Sequence, residues 1–255
     1  MVSDSNNPHT TLQPLVRLEN VMVSFDGFKA LDINAFSVGE SELRVVIGPN
    51  GAGKTTLCDV ISGKTRVTSG HVFFAGTEIT KMRDAAIARM GVGRKFQTPT
   101  VFDSLTVYEN MELALPNERT VFRNLFGRVT PEQNESILTI LDRVRLIGDM
   151  YTPAKYLSHG QRQWLEISML IVAHPKLLLI DEPAAGLTDK ETELTAELLL
   201  ELKGHHTIIC IEHDMDFVRR LNSRVTVLDN GKVLAEGTLD EVQANEQVVE
   251  AYLGR

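Results

Sequence analysis

The chain has 255 residues, 43% hydrophobic and 24% charged, with a formal net charge of −8 and a pI of about 5.4. This length allows one α/β domain with a subdomain, or two small domains, and the acidic balance argues against non-specific nucleic-acid binding, which needs basic surface. No apolar run approaches the ~20 residues that span a bilayer and no basic-then-apolar leader opens the chain, so the protein is expected to stay in the cytosol, with any membrane role exercised through a partner.

Residues 1–14 are polar with two prolines and are expected to form a loose tail. Residues 15–38 read as strand material, with Val16, Leu18, Val21 and Val23 apolar and a turn signal at Asp26-Gly27. The run Leu43-Arg44-Val45-Val46-Ile47 predicts a strand that feeds directly into Gly48-Pro49-Asn50-Gly51-Ala52-Gly53-Lys54-Thr55. That is the phosphate-binding pattern G-x-x-x-x-G-K-[ST] between a strand and a helix. Glycines let the backbone wrap around phosphate. The N–H groups of Gly51, Gly53 and Lys54 can then face phosphate oxygens, and the helix that follows adds its positive end. Lys54 brings a full charge to the β- and γ-phosphates, and the Thr55 hydroxyl suits magnesium, a hard ion that takes oxygen ligands. The expected ligand is a nucleoside triphosphate with Mg2+, contacted by Gly48, Asn50, Gly51, Ala52, Gly53, Lys54, Thr55 and Thr56.

The helix should end near Gly63, with a short strand over 71–75 and a helix over 82–90 stopped by Gly91 and Gly93. From about 98 to 165 the pattern becomes helical, at 105–115 and again at 131–147 with Pro131 at its start, linked by polar residues 116–129. This stretch reads as an inserted helical subdomain, 98–165, in a nucleotide-binding core made of 15–97 and 166–255. Buried-strand patterns return at 177–180, Thr207–Ile211 and 225–228, with helices at 188–203 and 214–222 between them. That alternation predicts a parallel α/β sheet; two short helices should close the chain over 238–252. Cys58 and Cys210 are expected to be buried reduced thiols, and no Cys/His spacing suggests a metal centre.

Leu177-Leu178-Leu179-Ile180-Asp181-Glu182 is an apolar strand ending in two carboxylates. Such a strand is buried on both faces, and ligands bind at the carboxyl ends of parallel strands. Asp181 is therefore a candidate for the magnesium and Glu182 for the attacking water, as base or orienter.

Leu157-Ser158-His159-Gly160-Gln161, set between the phosphate loop and the Asp-Glu strand, resembles the L-S-G-G-Q signature of the ATP-binding-cassette (ABC) ATPases. The resemblance runs from about residue 15 to the C-terminus. It implies an α/β fold with a P-loop NTPase (RecA-like) core, an antiparallel β subdomain and an inserted helical subdomain. It also implies that Ser158, Gly160 and Gln161 of one cassette cover the γ-phosphate held by the other. Gln97 is similar to the family's glutamine that touches magnesium, Asp189 to the aspartate of the loop along the dimer interface, and His213 to the switch histidine at the γ-phosphate. Phe25 is similar to the aromatic that stacks on adenine, with Phe28 second. The departure is His159, where the family has glycine; a ring there must turn outward or take a direct part.

Finer segments, 98–102 and the ending Ala251-Tyr252-Leu253-Gly254-Arg255, are similar to the branched-chain amino-acid and urea importers. Within that group, 157–166 and 181–193 look most like the urea-type subunit. The expectation is therefore an ATPase that powers uptake of urea or short-chain amides. The alternatives are a branched-chain amino-acid importer or a soluble ABC ATPase. Implied partners are a second ATPase subunit, homologous or identical, two membrane permease subunits, and an extracytoplasmic solute-binding protein indirectly, with no nucleic acid. The place is the inner face of the cell membrane, with permease docking near 97–109, although Val101, Phe102, Leu105 and Tyr108 are more simply core residues.

Overall fold

The computed structural model describes residues 13–94, 101–116 and 129–253. Gln97, most of the expected N-terminal tail, most of the polar link and the last two residues lie outside them.

Strands β1 (Val16–Phe25) and β2 (Phe28–Val38) form a hairpin through Asp26-Gly27. With β4 (Ser69–Phe74) and β5 (Thr77–Glu78) they make an antiparallel sheet in the order β2-β1-β4-β5. Val16, Leu18, Val21 and Val23 are all buried. Their alternation changes phase at Asn20, which takes a φ of 50°, and the pairing to β4 shifts register at the same place. The irregularity keeps both halves of β1 facing the core.

The second sheet has the order β10-β9-β3-β8-β7-β6. Its strands are β3 (Leu43–Ile47), β6 (Val92–Arg94), β7 (Leu177–Asp181), β8 (Thr207–Ile211), β9 (Arg224–Asp229) and β10 (Lys232–Gly237). All pairs are parallel except β9 with β10. Alternate residues feed two separate apolar clusters. Leu178, Ile180, Ile208 and Cys210 face one cluster; Leu177, Leu179, Ile209 and Ile211 face the other. That division is why these strands carry apolar residues at every position.

Helix α1 (Lys54–Ile61) and the antiparallel sheet pack on the second of these clusters. The first is shared by α3 (Val107–Ala114), α4 (Pro131–Arg143), α5 (His159–Ile171), α6 (Asp189–Leu202) and α7 (Met215–Leu221). Helix α2 (Asp84–Arg89) precedes β6, and α8 (Leu239–Gln243) and α9 (Glu246–Leu253) close the described chain. Both cysteines are buried and free, as expected.

Three strands were not expected. β5 and β6 are only two and three residues long, and Gly93, read as a helix stop, lies within β6, where it pairs with Leu178. β10 returns from β9 through Asn230-Gly231, both at positive φ, the pair that two-residue hairpin turns favour. The helix expected over 131–147 ends at Arg143. Arg145 takes a φ of 60° and the Leu146 N–H reaches back to the Leu141 carbonyl at 2.8 Å, a Schellman-type end.

Candidate nucleotide site

The loop 48–53 joins the end of β3 to α1. Gly53 caps α1 with a φ of 98°. A Cβ there would come within 2.6 Å of the Ala30 carbonyl oxygen and 2.9 Å of the Leu31 side chain, so β2 forces glycine sterically as well as conformationally. Helix α1 has no side-chain cap, whereas α3, α4, α5, α6 and α8 all carry capping boxes. The first turn of α1 is thus left open to a ligand, as an anion site at a helix start requires.

Lys54 is buried, and its Nζ donates to the carbonyls of Gly48 at 2.7 Å and Pro49 at 3.0 Å. Its burial lowers the pKa, against the opposing charges of Glu182 and Asp181. The ammonium is therefore held over the loop that would receive the phosphates. Thr55, in the first turn of α1, donates through Oγ1 to Asp181 Oδ2 at 3.5 Å. Burial pushes the Asp181 carboxyl above its usual range, and Glu182 adds to that push; Arg94, Thr55 and Lys54 act in the opposite sense. A cation beside this carboxylate would favour its ionised form. Among the described residues no group of three His, Cys, Asp or Glu side chains could hold a metal. A hydroxyl and a carboxylate side by side do fit magnesium, which takes few protein ligands and completes its shell with substrate phosphates and water.

Glu182 follows β7 with a φ of 48°, a sparsely populated region for a side-chain-bearing residue. Its N–H is fixed to the Ile211 carbonyl at 2.9 Å. Its Oε1 lies 3.4 Å from Nδ1 of His213, and both side chains are open to solvent. The ends of β3, β7 and β8 thus bring Lys54, Thr55, Asp181, Glu182 and His213 to one edge of the sheet.

Phe25 and Phe28 face each other across the tip of the β1–β2 hairpin and are 51% and 67% exposed. Neither is a core residue. The strand leaving Phe28 runs at once past Ala30 and Leu31, which touch the phosphate loop. Stacking of a base on an aromatic ring is worth about 1–3 kcal/mol. Replacing the stacking ring by alanine should therefore weaken ATP binding by about 5–150-fold. Titration of F25A and F28A with a fluorescent ATP analogue decides which ring it is; unchanged affinity in both would remove the hairpin from the site.

Ser158 and Gln161 bond to each other, to Glu191 and to Asp149 rather than to the residues of this edge. Ser158 caps α5: its Oγ accepts from Gln161 N–H at 3.2 Å, and Gln161 Oε1 accepts from Ser158 N–H at 3.0 Å. Gln161 also donates to Asp149 at 2.9 Å. Within one chain these two residues therefore order a helix start. Gly160 is buried against Glu191, whose Oε1 would lie 2.4 Å from a Cβ there. Asp189 is exposed at the first position of α6. His159 is exposed, and its Nε2 reaches the Ala185 carbonyl at 3.2 Å, tying the signature to the loop after Glu182. Gln163 Nε2 donates to the Pro183 carbonyl of the same loop.

Arg94 and Asp59 were not anticipated. Their buried ion pair, with a bond from Arg94 to Ser62 Oγ at 2.9 Å, fixes β6 to α1. Glu212, also missed, stood in view as a charge directly after an apolar strand. Of the residues near the expected docking groove, Val101 is core and Phe102 is exposed, while Tyr108 is partly buried and bonded to Asn134 at 2.6 Å. No helix among the described residues is long and apolar enough to cross a membrane.

The fold and this edge define a nucleotide-binding cassette. The ABC transporter family profile matches residues 31–185, and a profile described as branched-chain amino acid ATP-binding cassette transporter matches 232–255. The chain belongs to the ABC transporter family and is an ATPase coupled to transport. It is 37% identical over 251 residues to the high-affinity branched-chain amino acid transport ATP-binding protein LivG of Salmonella typhimurium, covering 95% of this chain and 98% of that one. Among solved structures it is similar to the ADP conformation of MJ1267, an ATP-binding cassette of an ABC transporter, with a TM-score of 0.81 and 32% identity over 95% of this chain and 100% of that one. It is also similar to the dimeric post-hydrolysis state of the cassette MJ0796 bound to ADP and Pi, with a TM-score of 0.73 and 26% identity over 88% and 98%.

Proposed function

We propose that the chain is one of two ATP-hydrolysing cassettes of a membrane importer, and that residues 48–56, with Asp181, Glu182 and His213, form its hydrolytic half-site. The observation that carries this reading is the convergence of Lys54, the Thr55–Asp181 contact and the Glu182–His213 pair at one sheet edge. Two cassettes would close head to tail, each ATP lying between the phosphate loop of one chain and Ser158, Gly160 and Gln161 of the other, with Asp189 along the interface. Thr55 and Asp181 would hold magnesium, which supplies charge neutralisation on the phosphate oxygens; Gln97 completes the proposed set by its sequence position. Glu182 accepts a proton from water or orients it, His213 steadies Glu182 and the γ-phosphate side, and Lys54 balances charge on the transferred group. Residues 98–165 would act as a helical subdomain that passes the motion to two permease subunits at the inner membrane face, and a solute-binding protein would act through them.

The names of the relatives support a branched-chain amino acid as the solute, better than the urea expected from sequence detail. Urea keeps the support of residues 157–166 and 181–193. The tagged chain, purified from gently solubilised membranes, should bring two permease subunits and a second ATPase. Vesicles carrying that complex should take up labelled leucine when supplied with ATP. Uptake of urea alone would move the assignment to the second solute, and recovery of no membrane protein would overturn the importer reading.

A further inference from the structure

Glu212 stands one residue beyond β8 and is completely buried. Its N–H continues the sheet, donating to the Val46 carbonyl at 3.1 Å. Its carboxylate points between two loops. Oε1 accepts from the Ala184 N–H at 2.8 Å, and Oε2 accepts from the His213 N–H at 3.0 Å and, more weakly, from the Asp214 N–H at 3.4 Å. Ala184 lies two residues after Glu182, and His213 directly follows Glu212. One side chain therefore ties together the two segments that carry the Glu182–His213 pair.

An apolar side chain of similar volume would leave the N–H groups of Ala184, His213 and Asp214 without this acceptor, so the carboxylate itself is what joins the two loops. Burial does lift the Glu212 carboxyl above its usual range, while the three N–H donors and His213 favour the ionised form. Backbone N–H groups bonded to a carboxylate are directional and charge-assisted, which suits a group that must set a distance. We propose that Glu212 is a positioning residue for ATP hydrolysis, holding Glu182 and His213 in register without touching the nucleotide. This rests on the reading that Glu182 and His213 act on the attacking water.

Glu212→Gln keeps the volume but turns an N–H2 toward one of the donors, releasing one loop. Glu212→Ala releases both. A small misplacement of reacting groups can cost about 10²-fold in rate, so kcat of the full-length chain should fall by about 10–100-fold for Glu212→Ala and about tenfold for Glu212→Gln. KM for ATP and the affinity for a non-hydrolysable analogue should stay within about twofold. Added to Glu182→Gln, either change should cost nothing further, since groups acting as a unit are not additive. A kcat within about twofold of the unaltered chain for Glu212→Gln would overturn the proposal. So would a fall in analogue affinity in step with kcat, the mark of a purely structural role. The Gln variant decides the matter if the Ala variant does not fold. If Glu182→Gln itself keeps normal turnover, the reading of Glu182 fails instead, and the two failures are distinct.

Discussion

Glu182→Gln should lower ATP turnover by about 10²–10⁴-fold, the span typical of losing a general base, while ATP still binds. The amide keeps the size of the side chain, so the strained backbone at φ 48° and the bond from its N–H to Ile211 have no reason to change. What is lost is the carboxylate 3.4 Å from His213, the proposed proton acceptor. The phosphate loop, Lys54 and Thr55 are untouched, so the ground-state complex forms as before and only the step that needs a base fails. An ATP-bridged dimer that cannot clear its γ-phosphates should then accumulate. Single-turnover hydrolysis and gel filtration with ATP check both statements. Normal turnover would show that Glu182 is not the group that acts on water.

Lys54→Ala should act on binding as well as on rate. The ammonium is a buried charge already turned over the loop by the carbonyls of Gly48 and Pro49, so little reorganisation separates it from a phosphate. Its removal takes away a charge-assisted hydrogen bond worth about 1.5–3 kcal/mol to the bound phosphates. It also removes charge that faces the transferred group, a kind of loss that costs about 10²–10³-fold in rate. Analogue affinity should fall by about 10–100-fold and kcat/KM by more. The two carboxylates left at the site, Asp181 and Glu182, would lose a nearby cation and repel the triphosphate. Unaltered affinity would mean that the loop does not hold phosphate through this residue.

Most of the core was legible because its signals are local. Leu43–Ile47, Leu177–Asp181 and Thr207–Ile211 are buried on both faces, and their sequences are apolar at nearly every position for that reason. The loop 48–53 was legible as the link from β3 to α1, because the pattern G-x-x-x-x-G-K-[ST] belongs between a strand and a helix. The edge strand Val92–Arg94 was not legible, since three residues carry no usable periodicity and its pairing partner lies more than eighty residues away. The hairpin to β10 could have been read from Asn230-Gly231. Glu212 could be noticed but not interpreted: nothing local says that Ala184 would stand within 2.8 Å of it. The same holds for His159, whose partner Ala185 is 26 residues distant.

Gly231 has a mechanical consequence. Its N–H donates to the Ala52 carbonyl at 3.0 Å, and its own carbonyl accepts from the Asp32 N–H at 2.8 Å. A Cβ on it would stand 2.9 Å from the Ala30 oxygen and from the Leu31 Cα. One glycine thus rivets the antiparallel sheet, the phosphate loop and the far hairpin of the core sheet into a single plate. A plate fastened at that point gives little under load. A side chain at position 231 would therefore loosen three parts of the molecule at once.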